Sequence, residues 1–272
     1  MDGDRRLYPL YAAYVCAIYP KDTVYEAWSS YRDDGNPILT CTGAETAWQR
    51  LSDGDADVIF VPAPAGDDPA WATLAARGQA AVLTPLCMDA VVFPVNAANP
   101  VGDVSATRLR QIYSGLIADW STLGANGPGK IVAYQSREDE YNNPARAAFR
   151  KLCAFENMMP PAEGVIGYEG FAPEVVTGPA DYRNLPNAIG YALRSECMKL
   201  VDDGMIRLLS VNGVAPTDEN IASGAYPYAD TLYAVTLAGN DNPNVAALID
   251  WIRSPQGAAL AERTGFAPIE NR

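Results

Sequence analysis

The sequence contains no histidine in its 272 residues. Histidine is the usual general base near neutral pH and a common zinc ligand. Its absence excludes Ser-His-Asp and Cys-His catalysis and histidine-ligated zinc. Carboxylate-only catalysis stays open, but no pair of acidic residues has a diagnostic spacing. We therefore expect a protein that is not an enzyme.

Basic residues are also few, since 20 Lys and Arg face 33 Asp and Glu, for a net charge of −13. Nucleic-acid binding needs a basic face, so no nucleic-acid partner is expected. The overall field also repels anions at long range. An anion site must therefore be built locally, from backbone N–H groups, helix N-termini and a few arginines.

Long apolar runs and paired cysteines are missing as well. No apolar stretch of about 18 residues occurs, so no membrane-spanning helix is predicted. Residues 1–4 show no basic region followed by an apolar one, so no signal peptide is predicted. The five cysteines form no Cys-x-x-Cys pair, which argues against a zinc or redox motif. We expect mostly buried thiols, with one disulfide left open and at least one thiol free.

A strand, a loop and a helix in the middle of the chain organise the rest. Residues 90–95 form an apolar run with the length and composition of a buried strand. Residues 96–100, rich in Asn and ending in Pro, are predicted to form a loop. Ser105 suits a helix N-cap, and Ser114 with Gly115 suits the end of that helix.

Residues 84–120 as a whole resemble the substrate-binding components of phosphate-type ABC transporters, which are type II periplasmic binding proteins. The resemblance rests on four motifs in order: x-A-V-V-F-x-V-N, N-P-V, L-R-Q-I-Y-S-G and I-A-D-W. Later segments match the same family, N-A-I-G-Y-A at 187–192, S-P-Q-G at 254–257 and T-G-F-A-P at 264–268. The resemblance thus covers nearly the whole chain.

This resemblance implies an α/β fold of two lobes with a cleft between them, each lobe a mixed β-sheet flanked by helices. Lobe 1 would comprise residues 1–90 plus 225–272, and lobe 2 residues 91–224. The ligand would be a small oxyanion such as phosphate, or an acidic metabolite, and binding would close the lobes by a hinge motion.

The resemblance also implies the protein's setting. The partner would be an ABC transporter permease, and the protein a monomer with no cofactor and no metal. It would be a secreted bacterial protein or lipoprotein, at the extracellular face of the cell membrane or in the periplasm. The signal or lipid anchor would lie outside this sequence.

The first candidate ligand loop precedes a predicted helix near the N-terminus. Residues 2–6 stand where the family has D-G-[ST]-x-x-x-x-P, whose hydroxyl and N–H groups hold an oxyanion. Arg5 and Arg6 stand near the expected hydroxyl residue, which makes them candidate ligands. Two solvated surface arginines are the alternative interpretation.

The second candidate loop is Thr42, Gly43 and Ala44, between a short strand and a helix. Such a turn directs free N–H groups and the positive end of the helix dipole at an anion. Such strand-Gly-helix connectors are common, so the connector alone is weak evidence. It becomes a candidate because the family has its second binding loop at this place. Glu45 departs from the pattern. It could cap the helix and compete with an anion, or favour a ligand with a positive group.

The third candidate loop carries Asn142, Asn143 and Arg146. The family has R-x-x-x-S-G-T-R-x-x-F here, of which Arg146 and Phe149 survive while Asn-Pro-Ala replaces Ser-Gly-Thr. Two hydroxyl donors and one N–H are lost. Their loss would weaken phosphate binding by several orders of magnitude unless Arg137 or the N-terminal arginines compensate. A salt-bridged surface residue is the alternative for Arg146.

A fourth departure follows the strand predicted over 58–61. Phosphate binders of this family usually carry an Asp there that accepts a proton from the ligand, whereas residues 61–65 read V-P-A-P-A. Selectivity for protonated phosphate loses its usual acceptor. These losses motivate the alternative hypothesis, a degenerate binding-protein-like module with a sensory or protein-interaction role and no phosphate binding.

Periodicity and turn residues predict the remaining elements. Helices are expected over 7–19, 22–31, 44–51, 70–77 and 244–253, and strands over 37–42, 58–61, 130–134, 187–192, 206–211 and 231–236.

Overall fold

The computed structural model describes residues 1–19, 38–124, 127–135, 144–153 and 185–269. The chain divides into two compact units, Met1–Met88 with Asp230–Arg272, and Asp89–Ala229. Each unit is α/β. In the part of the chain that the structure describes, no helix is both long and apolar enough to cross a membrane.

The described residues form a series of strands and helices, numbered here in chain order. The strands are β1 (Asp2–Gly3), β2 (Ile59–Pro62), β3 (Ala81–Val92), β4 (Pro94–Asn96), β5 (Asp103–Val104), β6 (Val132–Ala133), β7 (Ala188–Ile189), β8 (Ala192–Leu193), β9 (Ile206–Leu208), β10 (Ser210–Val211), β11 (Ala229–Leu237) and β12 (Ala267–Pro268). The helices are α1 (Tyr8–Ile18), α2 (Ala44–Asp53), α3 (Pro69–Ala76), α4 (Ala106–Tyr113), α5 (Pro144–Cys153), α6 (Arg194–Asp202), α7 (Asp218–Ala222), α8 (Pro243–Ile252) and α9 (Pro255–Arg263). Short 3-10 turns cover Arg5–Leu7 and Trp120–Thr122.

The first unit is built on a mixed sheet in the order β1-β2-β11-β3-β12. β1 runs parallel to β2, with Asp2 opposite Ile59. β11 is antiparallel to β2, and β12 is antiparallel to β3. The N-terminal residues therefore lie on the edge of this sheet, next to its inner strand β2.

Helices cover both faces of that sheet. Phe60 of β2 packs with Tyr14 of α1 in one core cluster, while Ile59 and Val61 pack with Trp48 of α2 in another. Successive residues of a strand point to opposite faces. Because both faces are buried, β2 is a continuous apolar run, and its prediction as a buried strand is confirmed.

The second unit carries a sheet in the order β6-β7-β4-β9. β6 runs parallel to β7, and β4 is antiparallel to both β7 and β9. β5 and β10 form a separate parallel pair, and β8 pairs with the last residues of β3. This sheet is mixed as well.

Aromatic rings fill the core of the second unit. Phe149 of α5 stacks on Tyr191 with ring centroids 4.1 Å apart. Tyr113 of α4 meets Phe149 edge-on at 5.1 Å, and Phe93 meets it at 6.1 Å. All four side chains are buried. Such stacked and edge-on contacts add to the burial of the rings and hold α4 and α5 together.

The limits of α4 confirm the prediction from its end residues. The Ser105 hydroxyl accepts a hydrogen bond from the Arg108 N–H at 3.2 Å and caps the helix. The helix ends at Tyr113 with Ser114 as its C-cap, and Gly115 follows with φ 78°. Helices α1, α2, α3 and α8 and strand β11 also confirm predicted elements.

Several predicted strands are shorter or divided. The strand predicted over 90–95 is the end of β3 and the start of β4, which are separated at Phe93 because they pair with different strands, β3 with β8 and β4 with β7 and β9. The runs 187–192 and 206–211 each form two short strands. β6 is shorter than expected, and the helix predicted over 22–31 lies outside the described residues.

All five cysteines are free thiols, so the disulfide that the sequence left open is not formed. Cys87, Cys153 and Cys197 are buried, as expected of small core residues. Cys41 is half-buried and Cys16 is exposed. The expectation of burial thus holds for three of the five.

Candidate anion-binding site

The residues before α2 run beside β1 without forming a strand. Backbone hydrogen bonds of 3.0 to 3.1 Å join residues 1–3 to residues 38–43. Between them, the Thr42 N–H donates to the side chain of Asp2, at 3.0 Å from Oδ1. The strand predicted over 37–42 is therefore absent from its described part, because a carboxylate takes the place of a backbone partner.

The Asp2 carboxylate is completely buried and accepts from four donors. Oδ1 accepts from the Gly3 N–H at 2.8 Å and from the Thr42 N–H at 3.0 Å. Oδ2 accepts from the Thr42 hydroxyl at 2.7 Å and from Arg50 Nη1 at 2.9 Å. The ion pair with Arg50 offsets the cost of burying the charge. Both donors of Thr42 are thus engaged by Asp2.

Gly43 forms the turn into α2. Its φ of 90° and ψ of 160° lie in a region open essentially to glycine alone. Its carbonyl accepts the first helical hydrogen bond, from the Ala47 N–H at 2.9 Å. The N–H groups of Ala44, Glu45 and Thr46 donate to none of the described residues. Free N–H groups at the positive end of a helix dipole are a candidate anion site, and we call these three N–H groups the cradle.

The Glu45 carboxylate does not fill this cradle. The side chain is exposed on the first turn of α2, and no described side chain caps the helix. The expectation that Glu45 could cap α2 is therefore not met by a hydrogen bond within the described residues.

Arg5 and Arg6 belong to the turn that follows β1 directly. Asp4 caps this turn by accepting from the Arg6 N–H at 2.8 Å. The Arg6 side chain is buried, and its Nη1 lies 3.0 Å from Asp230 Oδ2 in an ion pair. Arg5 is half-buried and lies near Cys41: burial raises the pKa of that thiol to about 11, and the Arg5 charge opposes the rise. Arg6 is thus not the solvated surface residue of the alternative interpretation.

Arg146 lies on the first turn of α5 in the second unit and is half-buried. Further along the same helix, Phe149 is fully buried in the aromatic core. Asn142 and Asn143 lie outside the described residues, as does Arg137. The predicted residues of the first unit come together on two adjacent loops: Arg5, Arg6, Thr42, Gly43 and Ala44.

Sequence reasoning missed the acidic and basic partners of these loops. Asp2 stands inside the D-G motif that placed the first loop, so a signal for it existed. Arg50 lies at the far end of α2, and Asp230 is 224 residues from Arg6. Such separations leave no local pattern from which these contacts could be predicted.

Two units, each a mixed sheet flanked by helices, define the architecture of type II periplasmic binding proteins. Residues 24–256 match the family model described as PBP superfamily domain. The chain belongs to this family.

Curated relatives include phosphate-binding proteins PstS. The protein from Borreliella burgdorferi is 24% identical over 193 residues, 71% of this chain and 67% of that protein. The protein from Bacillus subtilis is 34% identical over 184 residues, 66% of this chain and 56% of that protein. The aligned part thus covers only somewhat more than half of the Bacillus relative.

Solved structures share the fold across nearly the whole chain. An ABC-type phosphate transport receptor from Vibrio cholerae superposes with a TM-score of 0.71 at 17% identity, covering 97% of each chain. PstS from Borrelia burgdorferi superposes with a TM-score of 0.67 at 18% identity, covering 99% of this chain and 98% of that one. At such identities the likeness shows the fold.

Proposed function

We propose that this protein is the substrate-binding component of a phosphate-type ABC transporter and that it binds phosphate or a related small oxyanion. The observation that carries the proposal is the cradle at the start of α2, where the N–H groups of residues 44–46 donate to none of the described residues. The PstS relatives, named as phosphate-binding proteins, support the same ligand class.

The cradle can supply a useful share of the binding free energy. A hydrogen bond to a charged acceptor contributes about 1.5–3 kcal/mol, so three N–H donors contribute roughly 5–9 kcal/mol before the cost of association. A micromolar dissociation constant requires about 8 kcal/mol net. Positive side chains must therefore add to the cradle, the more so because the net charge of −13 repels an anion at long range.

We propose that the following residues make up the ligand site: Arg5, Arg6, Thr42, Gly43, Ala44, Asn142, Asn143 and Arg146. Within this set, Gly43 shapes the cradle and Thr42 holds its loop in place through Asp2. Arg6 shares its charge with an ion-pair partner, Asp230, which reduces the attraction that Arg6 can exert on an anion.

We further propose that the two lobes are residues 1–90 plus 225–272 and residues 91–224. The compact units Met1–Met88 with Asp230–Arg272 and Asp89–Ala229 support this division. The protein would act as a monomer outside the cell membrane and deliver its ligand to an ABC permease. Its role is binding and not catalysis, which agrees with the lack of histidine.

The test is isothermal titration calorimetry in phosphate-free buffer, with phosphate, sulfate, phosphonates, carboxylates and amino acids. We expect phosphate to bind and to stabilise the protein by about 2.7 kcal/mol at a concentration of 100 times its dissociation constant. Binding of none of these compounds would overturn the proposal and favour the degenerate module.

A matched pair of variants tests the role of Arg5. Arg5→Gln should weaken phosphate binding by about ten-fold or more, since it removes a positive charge that acts on Cys41, in the loop that leads into the cradle. Arg77→Gln is the control, because Arg77 is exposed and paired with Asp53 at the far end of α2. Equal affinities of both variants would remove Arg5 from the site.

Competition between phosphate and sulfate tests whether the protein can select phosphate without the usual carboxylate acceptor. Residues 61–65 offer no acidic side chain to accept a proton from phosphate. We expect sulfate to compete with phosphate within about ten-fold, because discrimination between them requires such an acceptor. A preference for phosphate of about a thousand-fold would show that another carboxylate supplies it.

A further inference from the structure

We propose that Asp2 is a positioning residue for the anion cradle. Its buried carboxylate sets the register between β1 and the loop before α2, and so decides where the helix begins and where its first N–H groups point. The inference rests on the proposed function, since the ligand of the cradle is taken to be phosphate.

The register changes by one residue at Asp2. The Thr40 N–H donates to the carbonyl of the first residue at 3.0 Å, as in a parallel pair of strands. In a continued parallel ladder, the Thr42 N–H would donate next to the Gly3 carbonyl. Instead, Asp2 Oδ1 accepts from Thr42 at 3.0 Å and from the Gly3 N–H at 2.8 Å. The Gly3 carbonyl accepts from Gly43 at 3.1 Å.

This one-residue shift is what starts the helix at Ala44. Because the carboxylate takes the Thr42 N–H, the chain contacts the edge of β1 once more through Gly43 and then turns away. Gly43 turns with φ 90°, and its carbonyl accepts from Ala47 as the first helical bond. The N–H groups that follow are left for a ligand.

Arg50 prevents the buried carboxylate from opposing an anion. Its Nη1 lies 2.9 Å from Asp2 Oδ2 and also donates to the Thr40 hydroxyl at 2.7 Å. Arg50 sits in the last turn of α2, so both ends of this helix are tied to the same carboxylate. The charge is thereby paired and the helix is held in one orientation.

Geometry and charge make opposite predictions for the variant Asp2→Asn. An effect of charge alone would tighten the binding of an anion, because a negative group near the cradle is removed. A positioning role requires weaker binding, because the amide cannot accept from all four donors. The sign of the change in affinity therefore separates the two explanations.

The experiment is calorimetric titration of inorganic phosphate into the full chain. We expect Asp2→Asn to weaken binding by about ten-fold or more. Asp53→Asn is the matched control, the same exchange at an exposed residue at the other end of α2, and should stay within about two-fold of the wild type. Binding by Asp2→Asn as tight as that of the wild type, or tighter, would overturn the proposal.

A milder variant covers the case in which Asp2→Asn does not fold. Arg50→Lys keeps the positive charge but loses the planar fork, whose Nη1 donates to Asp2 and Thr40 while Nη2 donates to the Asp55 carbonyl. We expect it to weaken phosphate binding by about three-fold or more. Wild-type affinity in this variant would count against the positioning role.

Hydrogen exchange without phosphate separates this inference from the proposed function. The amides of Thr42 and Gly43 should exchange faster in Asp2→Asn than in Asp53→Asn, since their acceptors depend on the carboxylate. If the wild type binds no phosphate, the proposed function fails. Hydrogen exchange alone then tests whether Asp2 positions the loop before α2. Unchanged exchange of both amides would then overturn its role.

Discussion

Replacing Gly43 by alanine adds a single methyl group and should damage the anion cradle. The residue has φ 90° and ψ 160°, a conformation that costs a side-chain-bearing residue on the order of 1–3 kcal/mol. The strain can be relieved only by rotating the backbone at the start of α2. Rotation there moves the N–H groups of the next residues away from their common target.

The expected loss of affinity equals the loss of one hydrogen bond from the cradle to the anion. Misdirecting a single N–H donor to a charged acceptor removes about 1.5–3 kcal/mol, which corresponds to roughly 10- to 100-fold in the dissociation constant. Gly43→Ala should therefore show both a lower free energy of unfolding and a weaker affinity for phosphate.

Gly54→Ala provides the control at the other end of the same helix. Gly54 also has a positive φ, 82°, and a Cβ there would meet no atom within 4 Å. Its strain should cost about 1–2 kcal/mol of stability and leave the phosphate affinity unchanged. Calorimetric titration gives the affinities, and scanning calorimetry gives the stabilities. Wild-type affinity in Gly43→Ala, or an equal loss of affinity in both variants, would refute the reasoning.

Three further predictions concern the core, an ion pair and the thiols. Phe149→Ala should lower the free energy of unfolding of the second unit by about 3–5 kcal/mol, measured by denaturant titration, because it removes the ring that contacts Phe93, Tyr113 and Tyr191 and leaves a cavity in the aromatic core. Arg6→Gln should destabilise the first unit by about 3–5 kcal/mol, since it leaves Asp230 unpaired, and adding Asp230→Asn should restore part of that loss. Cys16 should react first with a thiol reagent, whereas the reaction of Cys41 should accelerate up to a pH of about 11, where burial has moved its pKa. Because this folded-state pKa lies above the unfolded value of about 8.5, the stability that Cys41 contributes is complete below pH 8.5 or so and is lost as the pH rises towards 11.

Elements with a local cause were predictable from the residues. Ser105 and Gly115 delimit α4 because a hydroxyl can accept from a free N–H and glycine tolerates a positive φ. The apolar run of β2 marked a strand covered on both faces. The strand divided at Phe93 shows the limit of this approach, since an apolar run does not reveal that its two halves pair with different strands.

The candidate site was predictable as a pair of loops but not as a set of contacts. The glycine turn at Gly43 was visible as a strand-to-helix connector, and the structure places it at the start of α2. The partner of Thr42 was not visible, because the loop lies against a carboxylate 40 residues away. The same holds for Arg6, which proved to be a buried member of an ion pair.

The ordered motifs of the amino-acid sequence identified the class of protein through their resemblance to a known family, because such motifs can be recognised without reference to distance. The lack of histidine and the negative net charge only argued against histidine-based catalysis and nucleic-acid binding. The sequence also determined the helix limits and the glycine turn, which depend on neighbouring residues only. Tertiary structure alone decided that Asp2 sets the register of the cradle and that Arg6 is neutralised by Asp230. Those contacts depend on which distant segments the sheet brings side by side. No local pattern in the sequence shows which segments these are.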